Sequence, residues 1–451
     1  MENQTFRVGF GRWDITPEYS VPLGGYGNSR MRMSQGIYSR IYATCVALTD
    51  SRDETLLLFT VDQIRSEQSW TDAVRENISR VTGVAPTQIM VCGTHTHSGP
   101  DIGGAMDGTA YFDQYVQALT DAAVQAMSDR AEAQTFMGRT QVERLNFVRH
   151  YKMTDGSIVG VHFGTREGKS FAGHTLPADQ TMQLLRFVRE EKPDILLMNW
   201  QSHPLLGSTR GSAYGKESFL KIGADFVGAT RDYVEQESGC LTAFYQGASG
   251  NINPFSWIPE ETDPMDPVEY GIRVGAFALE ALDKMTLVAT GALQTRRVWY
   301  EGQWDHSEDH KLPQAQIICD LWRKTNDAPL CKQEAEKLGL HSAYHALFID
   351  QRSKFHDSCR MELNTAGMGE VAFVFAPYEM FCNNAQAIKA ESPYAMTFVM
   401  GHSNDTCGYL ASREAFDHGC YEVDNRRFPR GTAEETENHF HQMLRSMKEE
   451  K

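Results

Sequence analysis

Two histidines one residue apart, His95 and His97, lie in the stretch Gly93-Thr94-His95-Thr96-His97-Ser98-Gly99-Pro100. In extended backbone both side chains point the same way, because side chains repeat every second residue. One imidazole can then bind a metal while the next reaches a substrate beside it. Such a pair is weak evidence alone, and its meaning depends on what else can converge on it. Three more polar residues follow apolar runs in the same manner: His203 before Pro204, Glu379 in Pro377-Tyr378-Glu379, and Tyr409 after Gly408. Two histidines and a carboxylate are what a catalytic zinc takes, leaving a position open for water or substrate. The phenolic oxygen of Tyr409 completes the set. Each residue also has a plainer reading. His203 suits a core histidine at a turn, Glu379 a carboxylate favoured by a helix dipole, and Tyr409 a core aromatic.

Strands must carry these residues to one place. The apolar run 88–92 reads as a buried strand leading to His95, and runs 194–200, 371–376 and 395–400 lead to His203, Glu379 and Tyr409. Further strands are expected over 6–10, 42–48, 55–61, 182–188, 242–245 and 360–364, and helices over 67–81, 111–127, 217–235, 268–284 and from Glu379 to about 390. Gly24-Gly25-Tyr26-Gly27 is a loop of the kind that lines sites. Residues 134–180 are rich in turns and short strands, and 300–355 read as a helical excursion over the surface. Thr432 with Glu435 predicts a capping box before a last helix carrying Phe440, Met443 and Leu444. The alternation predicts an α/β fold: a mixed, largely buried β-sheet flanked by helices, with the metal site at the C-terminal ends of strands. No repeat, linker or break divides the chain, so residues 1–451 are expected to form a single domain.

The composition narrows the partners. The chain has 451 residues, 41% hydrophobic, with a net charge of −16 and a pI near 5.4. That charge argues against nucleic acid or an anionic membrane as a partner. No run of 18 apolar residues suggests integral membrane association, and the opening Met1-Glu2-Asn3-Gln4-Thr5 reads as no export signal. Nine cysteines, odd in number and without a C-x-x-C pair, read as reduced thiols and a cytoplasmic location.

The motif at 93–100 resembles the signature of the neutral/alkaline non-lysosomal ceramidase family. The resemblance recurs at Arg12 to Pro17, Asn199-Trp200 with His203-Pro204, Gly247 to Pro254, Pro377 to Glu379, Gly408 to Glu414 and Gly419 to Glu422. It implies a ceramidase-like catalytic domain with zinc held by His95, His203, Glu379 and Tyr409. It further implies that His97 and Tyr421 bind or polarise the scissile carbonyl. The chain departs from that pattern in three ways. Asn253 stands where the characterised ceramidases have a serine in Gly-Asp-x-Ser-Pro-Asn, and Ser249 is four residues away. No counterpart of their C-terminal β-sandwich domain or export signal is expected, and nothing reads as a membrane-docking amphipathic surface.

The resulting expectation is a zinc-dependent hydrolase acting on a small-molecule or acylated substrate. It would cut an amide or ester with metal-activated water, and the missing serine points away from ceramide itself. Here His97 shuttles protons, Tyr421 donates to the oxyanion, and Asn253 orients water or substrate. The alternatives are a metal-dependent lyase or isomerase on a small polar substrate such as a sugar acid, a true N-acylsphingosine amidohydrolase, and a non-catalytic metal-stabilised binding protein. Oligomeric state is left open. Thiol titration of the unfolded, unreduced protein is expected to count nearly all nine cysteines. Several stable disulfides would overturn the reduced reading.

Overall fold

The computed structural model describes residues 6–26, 32–209, 217–355 and 358–449, so Gly27 of the glycine loop lies outside the described residues. A large sheet runs in the order Leu241–Gln246, Ile195–Trp200, Thr181–Arg189, Ala131–Gln141, Arg7–Asp14, Tyr42–Thr49, Thr55–Val61, Ile89–Gly93, with Thr286–Leu287 joined to Ala131–Gln141. A second sheet has the order Leu293–Gly302, Cys359–Met368, Val371–Phe375, Met396–Met400. The expected buried mixed sheet flanked by helices is present, and it comes as two stacked sheets.

The stacking follows from strands that are apolar on both faces. Along Tyr42–Thr49 and Thr55–Val61, Ala43, Cys45, Ala47, Leu57, Phe59 and Val61 face helices Gln68–Thr82 and Tyr111–Asp129. The alternate residues Val46, Leu48, Leu56 and Leu58 share a core with Val371, Phe373, Phe375 and Phe398 of the second sheet. Ala372 and Val374 point the other way, onto helices Cys382–Ala390 and Thr432–Glu449. Helices Asp225–Ser238 and Pro267–Leu282 cover the remaining outer face of the first sheet. The layers are therefore helix, sheet, sheet, helix, and period-2 alternation distributes each strand between two cores. Helix Tyr111–Asp129 lies so close to the first strand that a Cβ on Gly11 would sit 2.1 Å from the Ala122 carbonyl oxygen.

Three local expectations differ. The helix expected from Glu379 begins at Cys382, because Glu379–Met380 pairs as a short strand with Tyr409–Leu410. The helix expected from 217 begins at Asp225, because Leu220 adopts φ 57° and Ile222 bridges to Ile37. Phe219 and Ile222 thus match a helical period while lying outside the helix. Thr432 is already helical and its hydroxyl donates to the Pro429 carbonyl, while the Glu435 carboxylate accepts from Tyr300 Oη at 2.6 Å. The capping box is not made.

The chain parts widely separated in sequence are joined by buried charge. Arg75 of helix Gln68–Thr82 donates twice to Glu362 of the second sheet, at 2.8 and 2.9 Å, with side chains 4% and 3% exposed. Burial pushes the Glu362 carboxyl up, but the Arg75 guanidinium outweighs it and holds it below its ordinary value. A lowered carboxyl stabilises the fold above the unfolded-state pKa, and the contribution is lost as pH falls through the folded value. Removing one partner leaves a buried charge unpaired, so Arg75→Met is expected to cost about 3–5 kcal/mol in urea unfolding. A loss below about 1 kcal/mol would place this pair with exposed ones.

Candidate metal centre

Among the described residues, parallel pairing of neighbouring strands occurs in a few places, and these carry the site. Ile89–Gly93 lies parallel to Thr55–Val61, Ile195–Trp200 to Leu241–Gln246, and Val371–Phe375 to Met396–Met400. The chain leaves these strands toward His95, His203 and Glu379. A short parallel pair then sets Glu379 opposite Tyr409. Backbone hydrogen bonds join the strand ends across the two sheets, Gly93 N to His402 O at 3.0 Å and Gly401 N to Gln246 O at 3.1 Å, while Gly247 N to Trp200 O at 2.8 Å ties two strand ends of the first sheet. His97 N donates to Pro204 O at 3.0 Å, so the two histidine motifs are pinned to each other.

Within this frame the side chains converge. His95 Nε2 lies 2.9 Å from His203 Nε2, and Glu379 Oε2 lies 3.4 and 3.9 Å from these two nitrogens. His95 Nδ1 meets the Ile64 carbonyl at 2.6 Å and His203 Nδ1 the Ser249 carbonyl at 3.0 Å. A carbonyl only accepts, so both rings carry a proton on Nδ1 and turn Nε2 inward. Two inward nitrogen lone pairs and a carboxylate oxygen repel one another unless a proton or a cation sits among them. Glu379 Oε2 has no other hydrogen-bond partner. This donor set fits a zinc ion. His97 belongs to the same cluster, its ring 5.0 Å from that of His95 and 5.1 Å from that of His203, with both of its nitrogens buried and unpartnered.

The electrostatics follow from burial. Desolvation, and next the neighbouring His95, hold His97 and His203 well below the ordinary histidine value. Burial pushes the Glu379 carboxyl up, but His95 leads the groups that bring it down to about 2. Burial first, then the Glu379 carboxylate, push the Tyr409 phenol well up, and burial does the same for Tyr421. His95 itself adopts φ 67° and His402 φ 53°, left-handed backbone that non-glycine residues use sparingly and that clusters at functional sites. A Cβ on Gly25 would lie 2.5 Å from His97 Nδ1, so only glycine lets the 23–25 loop close over that ring.

Tyr409 and Tyr421 line the same cavity, of about 440 Å³, as His95, His97 and Glu379, and their rings are 5.9 Å apart. Asn253 is buried behind this wall and does not line the cavity. Its Oδ1 accepts from Arg149 Nη1 at 3.4 Å. Several residues have roles that no local pattern announced. Arg149 donates to Tyr409 Oη at 3.1 Å and to Gly250 O at 2.8 Å, and is itself held by Glu422 at 2.6 Å. His150 meets the second oxygen of Glu422 at 2.7 Å. His402 stacks on His95 with centroids 3.8 Å apart. The segment 419–422 carried Glu422 in view, whereas Arg149 sits in the stretch without periodic signal.

The fold resembles that of neutral ceramidase from Pseudomonas aeruginosa, with a TM-score of 0.71 and 18% identity over 100% of this chain and 75% of that one. A ceramidase complexed with C2 gives a TM-score of 0.70 and 18% identity over 99% of this chain and 76% of that one. No curated protein matches the sequence. The profile of the neutral/alkaline non-lysosomal ceramidase N-terminal domain matches residues 6–239, which include His95, His97 and His203. That match covers more than half of the sequence, and the chain belongs to the neutral/alkaline non-lysosomal ceramidase family.

Proposed function

We propose that this chain hydrolyses an amide or ester bond with water as nucleophile and zinc as its resident metal. The observation that carries the reading is the pair of inward Nε2 atoms 2.9 Å apart beside an orphaned, buried carboxylate oxygen. His95, His203 and Glu379 would hold the ion, with Tyr409 as fourth donor. Zinc supplies polarisation of a carbonyl and a water pKa near 7.

The chain's own groups do the rest. Neutral His97, with two unsatisfied ring nitrogens, takes a proton from the attacking water and returns one to the leaving group. Tyr421, kept protonated by burial, donates to the oxygen of the attacked carbonyl. Arg149 fixes the Tyr409 oxygen, and Glu422 and Asn253 fix Arg149. Among the described residues no serine or cysteine lines the cavity, which supports a water nucleophile. Ser249 is fully buried and offers its carbonyl to His203. The polar wall of Arg65, Glu67, Asp101, Asn425 and Arg427 speaks for a substrate other than ceramide. It also favours the second reading, a lyase or isomerase on a small polar substrate, which turnover without water addition would reveal. Glu379, Tyr409 and Tyr421 come from beyond residue 239, so we read residues 1–451 as one catalytic unit. Nine free cysteines agree with a cytoplasmic location, and among the described residues no helix is long and apolar enough to cross a membrane.

Elemental analysis of protein purified without added metal is expected to find about one zinc per chain. His95→Ala and His203→Ala should each lose it while keeping the far-ultraviolet circular dichroism of the parent. Absence of any transition metal would sink the site. Asn253→Ala is expected to lower turnover by about 10- to 100-fold through the loosened Arg149, as for removal of a group that orients a ligand. Ser249→Ala should matter little. An acyl group trapped on Ser249 would replace water with a serine nucleophile.

A further inference from the structure

The catalytic cavity has two unlike walls. One is a single helical face: Tyr344, Leu347, Phe348 and Gln351 of helix Ala343–Arg352, at the i, i+3, i+4, i+7 spacing that aligns side chains along one stripe. Three of these four are apolar or aromatic. The other wall is polar, and its charges are unequally committed. Arg65 is engaged by Asp101 at 3.1 Å, by Glu67 at 4.0 Å, and by the carbonyls of Ile102 and Gly103. The nearby Asp405 accepts from Thr406 N at 2.7 Å and Gln68 N at 3.3 Å.

Arg427 differs. Among the described residues its guanidinium has no carboxylate within ion-pair distance, though its charge reaches the Glu67 and Asp405 carboxylates, and the guanidinium's one hydrogen bond runs from Nη1 to the Thr406 carbonyl at 3.3 Å. Its stem lies across Gly408, where an added Cβ would come within 3.1 Å of Nε. The guanidinium is therefore held on the cavity wall with most of its five donors unspent. A planar guanidinium in that condition suits a carboxylate, which it binds through two parallel hydrogen bonds.

Resting on the hydrolase reading above, we propose that the substrate is an N-acyl amino acid. Its carboxylate binds Arg427, and its acyl chain lies on the Tyr344–Leu347–Phe348 face. Water adds to the acyl carbon, the C–N bond breaks, and the amine leaves with a proton from His97. The products are a fatty or short-chain carboxylate and a free amino acid. This class matches both walls, where a ceramide would offer Arg427 nothing to neutralise.

Steady-state hydrolysis by the zinc-loaded full chain should be compared for N-hexanoylglycine and N-hexanoylglycinamide. The carboxylate is expected to have the higher kcat/KM. Arg427→Gln should reduce its kcat/KM by about 10- to 100-fold, mainly through KM, as for loss of a charge-assisted hydrogen bond. The preference for carboxylate over amide should collapse toward unity, and Arg427→Lys should restore part of it. Calorimetry with the hydrolysis-resistant N-hexylsulfonylglycine and its primary amide gives a readout independent of turnover. Tighter, Arg427-dependent binding of the acid without hydrolysis of any amide would uphold anion recognition and defeat the hydrolase reading. Equal binding of acid and amide, or equal loss for both substrates in Arg427→Gln, would overturn the proposal even if amides are cleaved.

Discussion

A positive charge must sit among three buried atoms, His95 Nε2, His203 Nε2 and Glu379 Oε2. The two backbone carbonyls that fix the Nδ1 protons allow no other arrangement, because neither ring can turn over without stranding a carbonyl. Burying a carboxylate and two lone pairs without such a charge costs several kcal/mol. The surroundings are built to hold these atoms in place all the same. Strands from two sheets end at one point, their carbonyls and amides bonded across the gap, and His95 and His402 adopt left-handed backbone there.

The layering explains why the site is at a sheet-to-sheet junction. His95 and His203 leave the first sheet, Glu379 and His402 the second, and the core between the sheets is filled by residues such as Val46, Leu58, Phe373 and Phe398. Asn199 spans the gap directly, its Nδ2 donating to Tyr245 O at 3.1 Å and Val399 O at 3.2 Å. Arg75 with Glu362 does the same farther off. The geometry of the cluster is thus a property of how the two sheets dock.

Much of this was legible in the sequence, for a reason that can be stated. An apolar run that ends in histidine or glutamate marks a buried strand releasing a polar side chain, and that rule picked out His95, His203 and Glu379. The second sheet was not legible. A strand apolar on both faces, such as 371–375, reads alike whether a helix or another sheet covers it. Phe219 and Ile222 fell on a helical period by coincidence. Thr432 and Glu435 had the spacing of a cap, yet Tyr300, 135 residues from Glu435, claimed the carboxylate. Arg149 and Glu422 are 273 residues apart, and nothing local to either announces the other. Pairings of that range belong to the fold and carry no pattern in the chain.

The helix Ala343–Arg352 belongs to an insert with its own small core, built from Ala315, Ile318, Cys331, Ala335, Leu340, Ala346 and Ile349. Its outward stripe shapes the cavity, while its other side is clamped to the body through Arg352 on the Asp424 and Arg426 carbonyls and through Glu308, which meets His345 and Arg352 within the insert and Arg426 beyond it. His95, His203 and Glu379 and this wall of the cavity therefore stand on separate foundations, and the two meet at Tyr421, whose ring lies 5.7 Å from that of Phe348. In evolutionary terms they can drift at different rates. Substitutions along the stripe at 344, 347 and 351 disturb no strand and none of His95, His203 and Glu379, so a lineage can reshape this wall of the cavity while the buried cluster stays fixed.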